Sequence, residues 1–252
     1  GGGGGGFENN WAVGRFFFSG IGTRRASIHN RPAYNSEVHA AGDAGLAPLT
    51  NAYVDAQLAD TIMIVGANPY ETQTNYFLNH MVLNLNGEAD ALKSATFVGE
   101  AETSGRMIIV DPRRTMTVAA AEAAGGAENV LHLAIEPGTD ISLLNSIARI
   151  ILDKRWHDIA FIRQRAEWQT FESYQRSSLG VDRPVSEFVA EAAKLCGVEE
   201  ADLYKAAEWL AAPKAQGERR RSLFHYGKGL IWGLKNYENI AAIVDLALMT
   251  GN

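Results

Sequence analysis

The chain has 252 residues, of which 46% are hydrophobic, and its 29 acidic and 23 basic side chains give a formal charge of −6. This length is enough for one large folded domain or two small ones. The negative balance argues against nucleic acid as the main partner, because no basic stripe is available to neutralise phosphates. The single cysteine, Cys196, rules out an internal disulfide and a cysteine-ligated zinc or iron–sulfur site within these residues.

Two further features bear on the class of protein. No apolar run reaches the roughly 18 residues that a membrane-spanning helix needs, and no signal peptide is visible. The sequence begins on Gly1–Gly6 without methionine and stops at Gly251-Asn252, a pair typical of a helix C-terminus. We therefore expect an internal fragment of a longer chain.

Residues 1–60 are predicted to be a substrate-side segment with a polar loop at 28–40. The loop has no helical or strand period, and Pro32 blocks a helix through it. Catalytic groups are often held on such loops, which makes His29, Glu37 and His39 candidates for contact with a ligand. An ordinary solvated loop and a zinc or iron site at these three residues are the alternatives, although no fixed helical spacing supports a metal.

The next part of the chain, residues 61–154, predicts three strand–loop–helix units in succession. A short helix at 51–58 precedes them, and the expected strands are 61–66, 106–110 and 129–133. The expected helices are 72–85, 116–124 and 141–152, while 86–105 carries weak signals and is predicted to be a surface excursion. Continuous apolar strands suit a sheet that is buried on both faces. The pattern indicates an α/β fold with a doubly wound, mostly parallel sheet and flanking helices.

The remaining residues divide into a helical segment and a return to the sheet. Residues 155–212 are predicted to be helical, with a helix at 199–212 that stops before Pro213. Residues 213–252 are predicted to hold a strand at 222–226 and a last helix at 237–249. The basic run 219–221 is expected to be a solvated loop, and Cys196 a small buried group near a helix end.

Polar residues follow each predicted strand, where ligands bind in sheets of this kind. Asn68 offers a donor and an acceptor for a heterocycle edge. Asp111 can accept from a ribose hydroxyl or a guanine amine, and Arg113 can hold a phosphate. Thr139 or Asp140 is the expected N-cap of the helix that follows, and capping is the simpler explanation of Asp140, while Glu136 and Arg114 are expected to be solvated or paired at the surface. Together these loops predict a nucleotide-like ligand and a dinucleotide-binding-like unit at 61–154.

The same loops carry a family resemblance. GANPYET (66–72), VDPRRT (110–115), EPGTD (136–140), KGLIWG (228–233) and LALMTGN (246–252) resemble the large catalytic subunits of the dimethyl-sulfoxide-reductase family, which are multidomain molybdopterin oxidoreductases. Within that family, IHNRPAYNSE (28–37) and NPYETQTNYFLNH (68–80) are similar to the arsenite oxidases. The resemblance extends over nearly the whole chain, apart from 86–105 and 160–195.

The resemblance implies a cofactor and roles for individual residues. The cofactor would be molybdenum bound by two molybdopterin guanine dinucleotides. His29 and Glu37 would line the arsenite pocket, and Ala33 would stand where relatives supply a metal ligand, so the protein would give the molybdenum none. The positions implied to bind the cofactor are Asn68, Pro69, Thr72, Asp111, Arg113, Gly138, Asp140, Lys228 and Gly229.

The resemblance also implies a reaction and partners. The reaction would be oxidation of arsenite to arsenate by oxygen-atom transfer, with electrons leaving through an iron–sulfur cluster whose ligands lie outside this chain. The partners would be a small Rieske iron–sulfur subunit and a cytochrome c or blue-copper acceptor, in the periplasm. Because the cluster ligands and part of the pocket would be missing, the 252-residue segment alone is expected to be inactive. The alternatives are a related formate or nitrate enzyme and a cofactor-less structural or electron-relay subunit.

Overall fold

The computed structural model describes residues 7–25, 51–98, 105–215, 217–232 and 235–252. The loop predicted at 28–40, with His29, Ala33 and Glu37, lies outside these residues. The predictions made for it are therefore tested neither by the fold nor by any contact below.

Within the described ranges, four parallel strands form one sheet in the spatial order β3-β2-β1-β4. The strands are β1 (Thr61–Val65), β2 (Arg106–Val110), β3 (Val130–Leu133) and β4 (Ser222–Tyr226). The chain adds β2 and β3 on one side of β1 and then returns to place β4 on the other side. The strand order therefore reverses between β1 and β4, which creates a crevice beyond their carboxyl ends.

Helices connect and cover these strands. Those before β2 are α1 (Phe7–Gly14), continued by a π-helical stretch over Arg15–Ile21, α2 (Asp55–Leu58), α3 (Pro69–Thr72), α4 (Thr74–Tyr76), a π-helical turn over Phe77–Met81, α5 (Val82–Leu85) and α6 (Asp90–Thr96). Those after β2 are α7 (Met116–Gly125), a 3-10 turn (Ala127–Asn129), α8 (Asp140–Asp153), α9 (Ile159–Arg165), α10 (Trp168–Ser177), α11 (Val185–Cys196), α12 (Glu200–Ala211), α13 (Lys228–Ile231) and α14 (Asn236–Thr250).

The sheet is buried on both faces. Every residue of β1 is buried, and successive side chains enter different cores: Met63 and Val65 pack with α8, α12 and α14, whereas Ile62 and Ile64 pack with α5 and α7. This alternation follows from the two-residue period of a strand. Burial of one such side chain contributes roughly 1.5–3 kcal/mol, so the sheet centre holds the two layers together. The predicted α/β fold with a parallel, doubly wound sheet is confirmed.

Several local predictions are corrected by the structure. The helix expected at 51–58 forms only over Asp55–Leu58, and the helical stretch expected from 72 begins at Pro69 and is interrupted at Gln73. The region 86–105 is not merely a surface excursion, because α6 buries Lys93, whose Nζ donates to Asn84 Oδ1 at 2.6 Å. A sequence pattern with one buried lysine gives no apolar stripe, which explains why it was missed.

The basic run 219–221 is a loop as expected, but it is only partly solvated, because two of its arginines form ion pairs. Arg219 Nε lies 2.9 Å from Asp158 Oδ2, and Arg221 Nη2 lies 3.2 Å from Asp60 Oδ1. Asp60 also accepts from Lys214 Nζ at 2.8 Å, with both side chains almost fully buried. The ion cluster of Asp60, Lys214 and Arg221 lies at the amino ends of β1 and β4, at the opposite edge of the sheet from the crevice. Arg114 pairs with Glu122, and Cys196 is buried at the end of α11, both as predicted.

None of the helices in the described ranges is both long enough and apolar enough to cross a bilayer. The π-helical stretch after α1 exposes aromatic side chains, with Phe16 at 61% and Phe18 at 57%.

Candidate functional site

The crevice between β1 and β4 is closed at its base by close backbone contacts between two glycine-containing loops. Gly229 N donates to Gly66 O at 2.9 Å, and Gly227 N donates to Val65 O at 3.0 Å. A Cβ on Gly66, whose φ is +58°, would lie 2.5 Å from Leu230 N, and one on Gly229 would lie 2.8 Å from Gly66 O. Both glycines are therefore required for the loops after β1 and β4 to meet.

Asn68 stands immediately above this contact, in the loop that follows β1. It precedes α3, with the buried Pro69 as the first helical residue, a position where the ring of proline is well accommodated. Its Oδ1 accepts from Thr117 Oγ1 at 2.6 Å, and Thr72 Oγ1 donates to its carbonyl oxygen at 3.0 Å. The side-chain amide of Asn68 is thus bound through its Oδ1. We predicted that both its oxygen and its nitrogen would face a ligand, whereas the structure engages the oxygen with Thr117.

Asp111 and Arg113 follow β2, the neighbouring strand. Asp111 Oδ1 accepts from the backbone N–H of Arg113 at 2.8 Å, which folds the loop into a tight turn. His132 Nε2 lies 2.9 Å from Asp111 O and ties the loop to β3. The guanidinium of Arg113 is exposed and forms no ion pair with the described residues. One carboxylate oxygen and one guanidinium are therefore presented together at the strand ends.

The loop after β3 presents an open turn. Gly138 has φ +89°, and a Cβ built on it would meet no atom within 4 Å. Of the two expected N-cap candidates, Thr139 occupies the cap position and Asp140 is the first helical residue. The Thr139 hydroxyl donates to Glu136 O at 2.7 Å and caps no backbone N–H of the helix. Burial raises the pKa of the Asp140 carboxyl above its ordinary value. A half-buried carboxylate therefore stands at the helix start, where the backbone N–H of Asp140 itself donates to it.

Lys228 and Gly229 follow β4, the strand at the opposite side of the sheet from β3. Lys228 begins α13, and its Nζ lies 5.9 Å from the centre of the Trp232 ring. The sheet order puts the loops after β3 and β4 three inter-strand steps apart; at about 4.8 Å per step the span is roughly 14 Å. The predicted cofactor-binding residues from Asn68 to Gly229 therefore share one edge of the sheet and suit an extended ligand.

A second concave feature adjoins the loop after β1. It is a pocket of about 710 Å³ whose described lining contains no Asp, Glu, Lys or Arg. The lining residues are Asn51, Ala52, Tyr53, Thr72, Gln73, Thr74, Asn75, Tyr76 and His225. Burial lowers the pKa of His225 to about 4, so its imidazole is neutral at pH 7, and its ring centre is 5.8 Å from that of Tyr76. The pocket offers hydrogen bonds without net charge.

Sequence analysis missed three residues that face this edge. Thr117 is fully buried and holds Asn68. Thr115 Oγ1 and His225 Nε2 are buried and have no hydrogen-bond partner among the described residues. A threonine near a helix start is ordinarily predicted to be a helix cap. Only the bond from Thr117 to Asn68 and the unpartnered hydroxyl of Thr115 show that these two residues have another role. A buried polar atom with no protein partner has hydrogen-bonding capacity left for a ligand or an ordered water.

Comparison with known proteins identifies the class that this fold and site define. A match to the family described as molybdopterin oxidoreductase covers residues 15–252. The chain therefore belongs to the molybdopterin oxidoreductase family.

Three individual relatives show which members of the family the chain is similar to. The chain is 45% identical over 252 residues to arsenite oxidase subunit AioA of Herminiimonas arsenicoxydans, covering 100% of this chain and 29% of that protein. It is 29% identical to iodate reductase subunit IdrA of Denitromonas iodatirespirans, over 98% of this chain and 27% of the relative. It is 24% identical to formate dehydrogenase H of Escherichia coli, over 98% and 29% respectively. The chain thus spans less than a third of the length of each relative.

Proposed function

We propose that this chain forms part of an enzyme that oxidises arsenite to arsenate at a molybdenum bis(molybdopterin guanine dinucleotide) centre. The observation that carries the proposal is the 45% identity with arsenite oxidase subunit AioA over the whole chain. The row of polar strand-end residues supports it, because an amide, a carboxylate and a guanidinium on one edge match the acceptors, hydroxyls and phosphates of a nucleotide.

The residues present at the edge fit such a cofactor. Asn68 can donate to an acceptor on a ring, Asp111 can accept from an amine or hydroxyl, and Arg113 can bind a phosphate. The open turn at Gly138 and the orphaned hydroxyl of Thr115 leave room and bonding capacity there. The full set proposed to hold the group is Asn68, Pro69, Thr72, Asp111, Arg113, Gly138, Asp140, Lys228 and Gly229. When bound, the molybdenum group supplies oxygen-atom transfer and accepts two electrons.

The substrate end of the proposal rests on the segment that precedes Asn51. His29 and Glu37 are proposed to hold arsenious acid by donating and accepting hydrogen bonds, and Ala33 to leave the metal without a protein ligand. Arsenious acid is neutral at pH 7, so it needs hydrogen bonds more than charge attraction. The uncharged pocket lined by Tyr53, Gln73 and His225 suits the passage of such a molecule, because a neutral polar molecule pays little to leave water when hydrogen bonds replace those it loses.

Partners and compartment follow the same proposal. We propose a small Rieske iron–sulfur subunit, a cytochrome c or blue-copper acceptor, and a periplasmic location. An iron–sulfur cluster in the full-length protein would carry the electrons away from the molybdenum, with ligands outside the present chain.

The proposal is tested on the purified full-length protein. We expect about one molybdenum and two guanine nucleotides per polypeptide and arsenite-dependent reduction of a dye. A matched pair of variants, His29→Ala and His157→Ala, examines the substrate end. His29→Ala should raise KM or lower kcat for arsenite, whereas His157, whose ring centre is 6.3 Å from that of Phe171 and which does not line the uncharged pocket, should be replaceable without effect on kinetics.

Other outcomes would favour the alternatives. Iodate reduction by a reduced dye, or formate or nitrate turnover without arsenite oxidation, would assign the protein to a different reaction of the same family. Absence of molybdenum and guanine from the full-length protein would support a structural or electron-relay subunit. Arsenite-dependent dye reduction by the 252-residue polypeptide alone would contradict its expected inactivity.

A further inference from the structure

The contact between Asn68 and Thr117 joins two loops of the cofactor edge. Thr117 lies in the first turn of α7, after the loop that carries Asp111 and Arg113, while Asn68 lies after β1. Thr117 Oγ1 is 2.6 Å from Asn68 Oδ1, and the backbone N–H of Tyr70 donates to the same hydroxyl at 3.1 Å. The hydroxyl is completely buried, so it forms this pair of bonds without competition from water.

Proton counting fixes the direction of these bonds. The Tyr70 backbone can only donate, so it uses one lone pair of the Thr117 oxygen. The threonine has a single hydrogen, and the Asn68 amide is the acceptor within reach. The 2.6 Å separation lies within the 2.5–3.0 Å range of O–H···O bonds and just under that of N–H···O bonds. The amide must therefore turn its oxygen towards Thr117 and its nitrogen away.

The consequence is that Asn68 turns the two N–H donors of its Nδ2 away from Thr117, while its oxygen already accepts from the threonine. Among the described residues nothing accepts a hydrogen bond from its Nδ2. A ligand at this position must then offer an acceptor, such as a carbonyl oxygen, a ring nitrogen or a phosphate oxygen, and a ligand group that only donates would be rejected.

We infer that Thr117 is a positioning residue that fixes the Asn68 amide as a donor towards an acceptor atom of the pterin guanine dinucleotide. This inference rests on the proposed function, which supplies the ligand. It adds a specific role for a buried hydroxyl on the helix after β2: to set the hydrogen-bonding polarity of the loop after β1.

The amount of bound guanine nucleotide and the rate of its release measure the effect of Thr117 on cofactor binding independently of enzyme activity. In the full-length protein, nucleotide per polypeptide is determined by chromatography after acid hydrolysis, and its release rate is followed in mild denaturant. Thr117→Val keeps the shape and removes the hydroxyl, so release should be roughly fivefold to tenfold faster, the effect of one net hydrogen bond. Thr117→Ser should restore release to within about twofold of the wild type.

A matched control separates positioning from loss of any buried bond. Thr61 is equally buried, and its hydroxyl donates to Trp209 O at 2.6 Å, but it lies at the opposite end of β1. Thr61→Val should lower the melting temperature without changing nucleotide release at an equal margin below it. Equal acceleration by Thr61→Val and Thr117→Val would overturn the inference.

Variants of Asn68 test the orientation itself. Asn68→Asp keeps an acceptor for Thr117 and loses both donors, so release should accelerate at least as much as in Thr117→Val; wild-type retention would mean that the amide is turned the other way and would overturn the inference. In an Asn68→Ala background, Thr117→Val should have no further effect, and a full additive effect would also overturn it. Wild-type protein without guanine nucleotide would instead refute the proposed function, on which the inference depends.

Discussion

Replacement of Gly229 by alanine should separate the two loops at the base of the crevice. The added Cβ would lie 2.8 Å from Gly66 O and 2.9 Å from Gly66 Cα, and both are backbone atoms that cannot rotate away. Ordinary contact begins near 3.4 Å, so the loops must move apart by about 0.6 Å. The φ of Gly229 lies outside the left-handed region, which means that the steric contact alone, without backbone strain, causes the effect.

The expected loss of stability has two parts. Overpacking in a well-packed region costs about 1–3 kcal/mol. The bond from Gly229 N to Gly66 O, now 2.9 Å, would be stretched and would lose roughly 1 kcal/mol. We therefore expect a free energy of unfolding lower by about 2–4 kcal/mol, measured by denaturant titration, together with reduced guanine nucleotide content.

Gly20→Ala is the matched control. Its Cβ would lie 3.8 Å from the nearest atom, its φ is also outside the left-handed region, and it lies in an exposed helical stretch. It should be neutral or slightly stabilising. If Gly229→Ala changed the free energy of unfolding by no more than Gly20→Ala and kept its nucleotide, the glycine contact would not be what closes the crevice.

Three further variants replace buried ionisable side chains. Asp60→Asn should cost about 3–5 kcal/mol, because it breaks a buried ion pair with Lys214; an unchanged denaturation midpoint would refute this. Burial raises the pKa of Asp245 to about 6, so its ionisation costs stability as pH rises from about 4 through 6, and Asp245→Asn should be the more stable protein above pH 6, by at most about 3 kcal/mol, but not below pH 4. Burial lowers the pKa of His225 to about 4, so stability should fall as pH falls from about 6.5 through 4, and His225→Gln should flatten that slope; parallel melting curves of variant and wild type across this range would contradict the assignment.

The strands could be predicted from the sequence because each buried strand is a continuous run of apolar residues. Residues 106–110 and 222–226 form strands with the expected bounds, and 61–66 is one residue shorter. A strand covered on both faces must be apolar throughout, and that run is readable without knowing its neighbours. Helix ends, such as those of the helix at 55–58, are harder to predict, because caps and short turns depend on tertiary contacts that the local sequence does not specify.

The sequence alone also determined which residue types follow each strand: Asn68, Asp111 and Asp140 could be located before any fold was known. Only the tertiary structure decided what they do. Thr117 is 49 residues from Asn68, and Arg221 is 161 residues from Asp60. Periodicity records whether a side chain is buried but not which partner it meets there, because the partner is set by the order in which crossovers place strands and helices side by side. The amide of Asn68 was thus visible in the sequence, while the end of it that faces a ligand depended on a helix from the next unit.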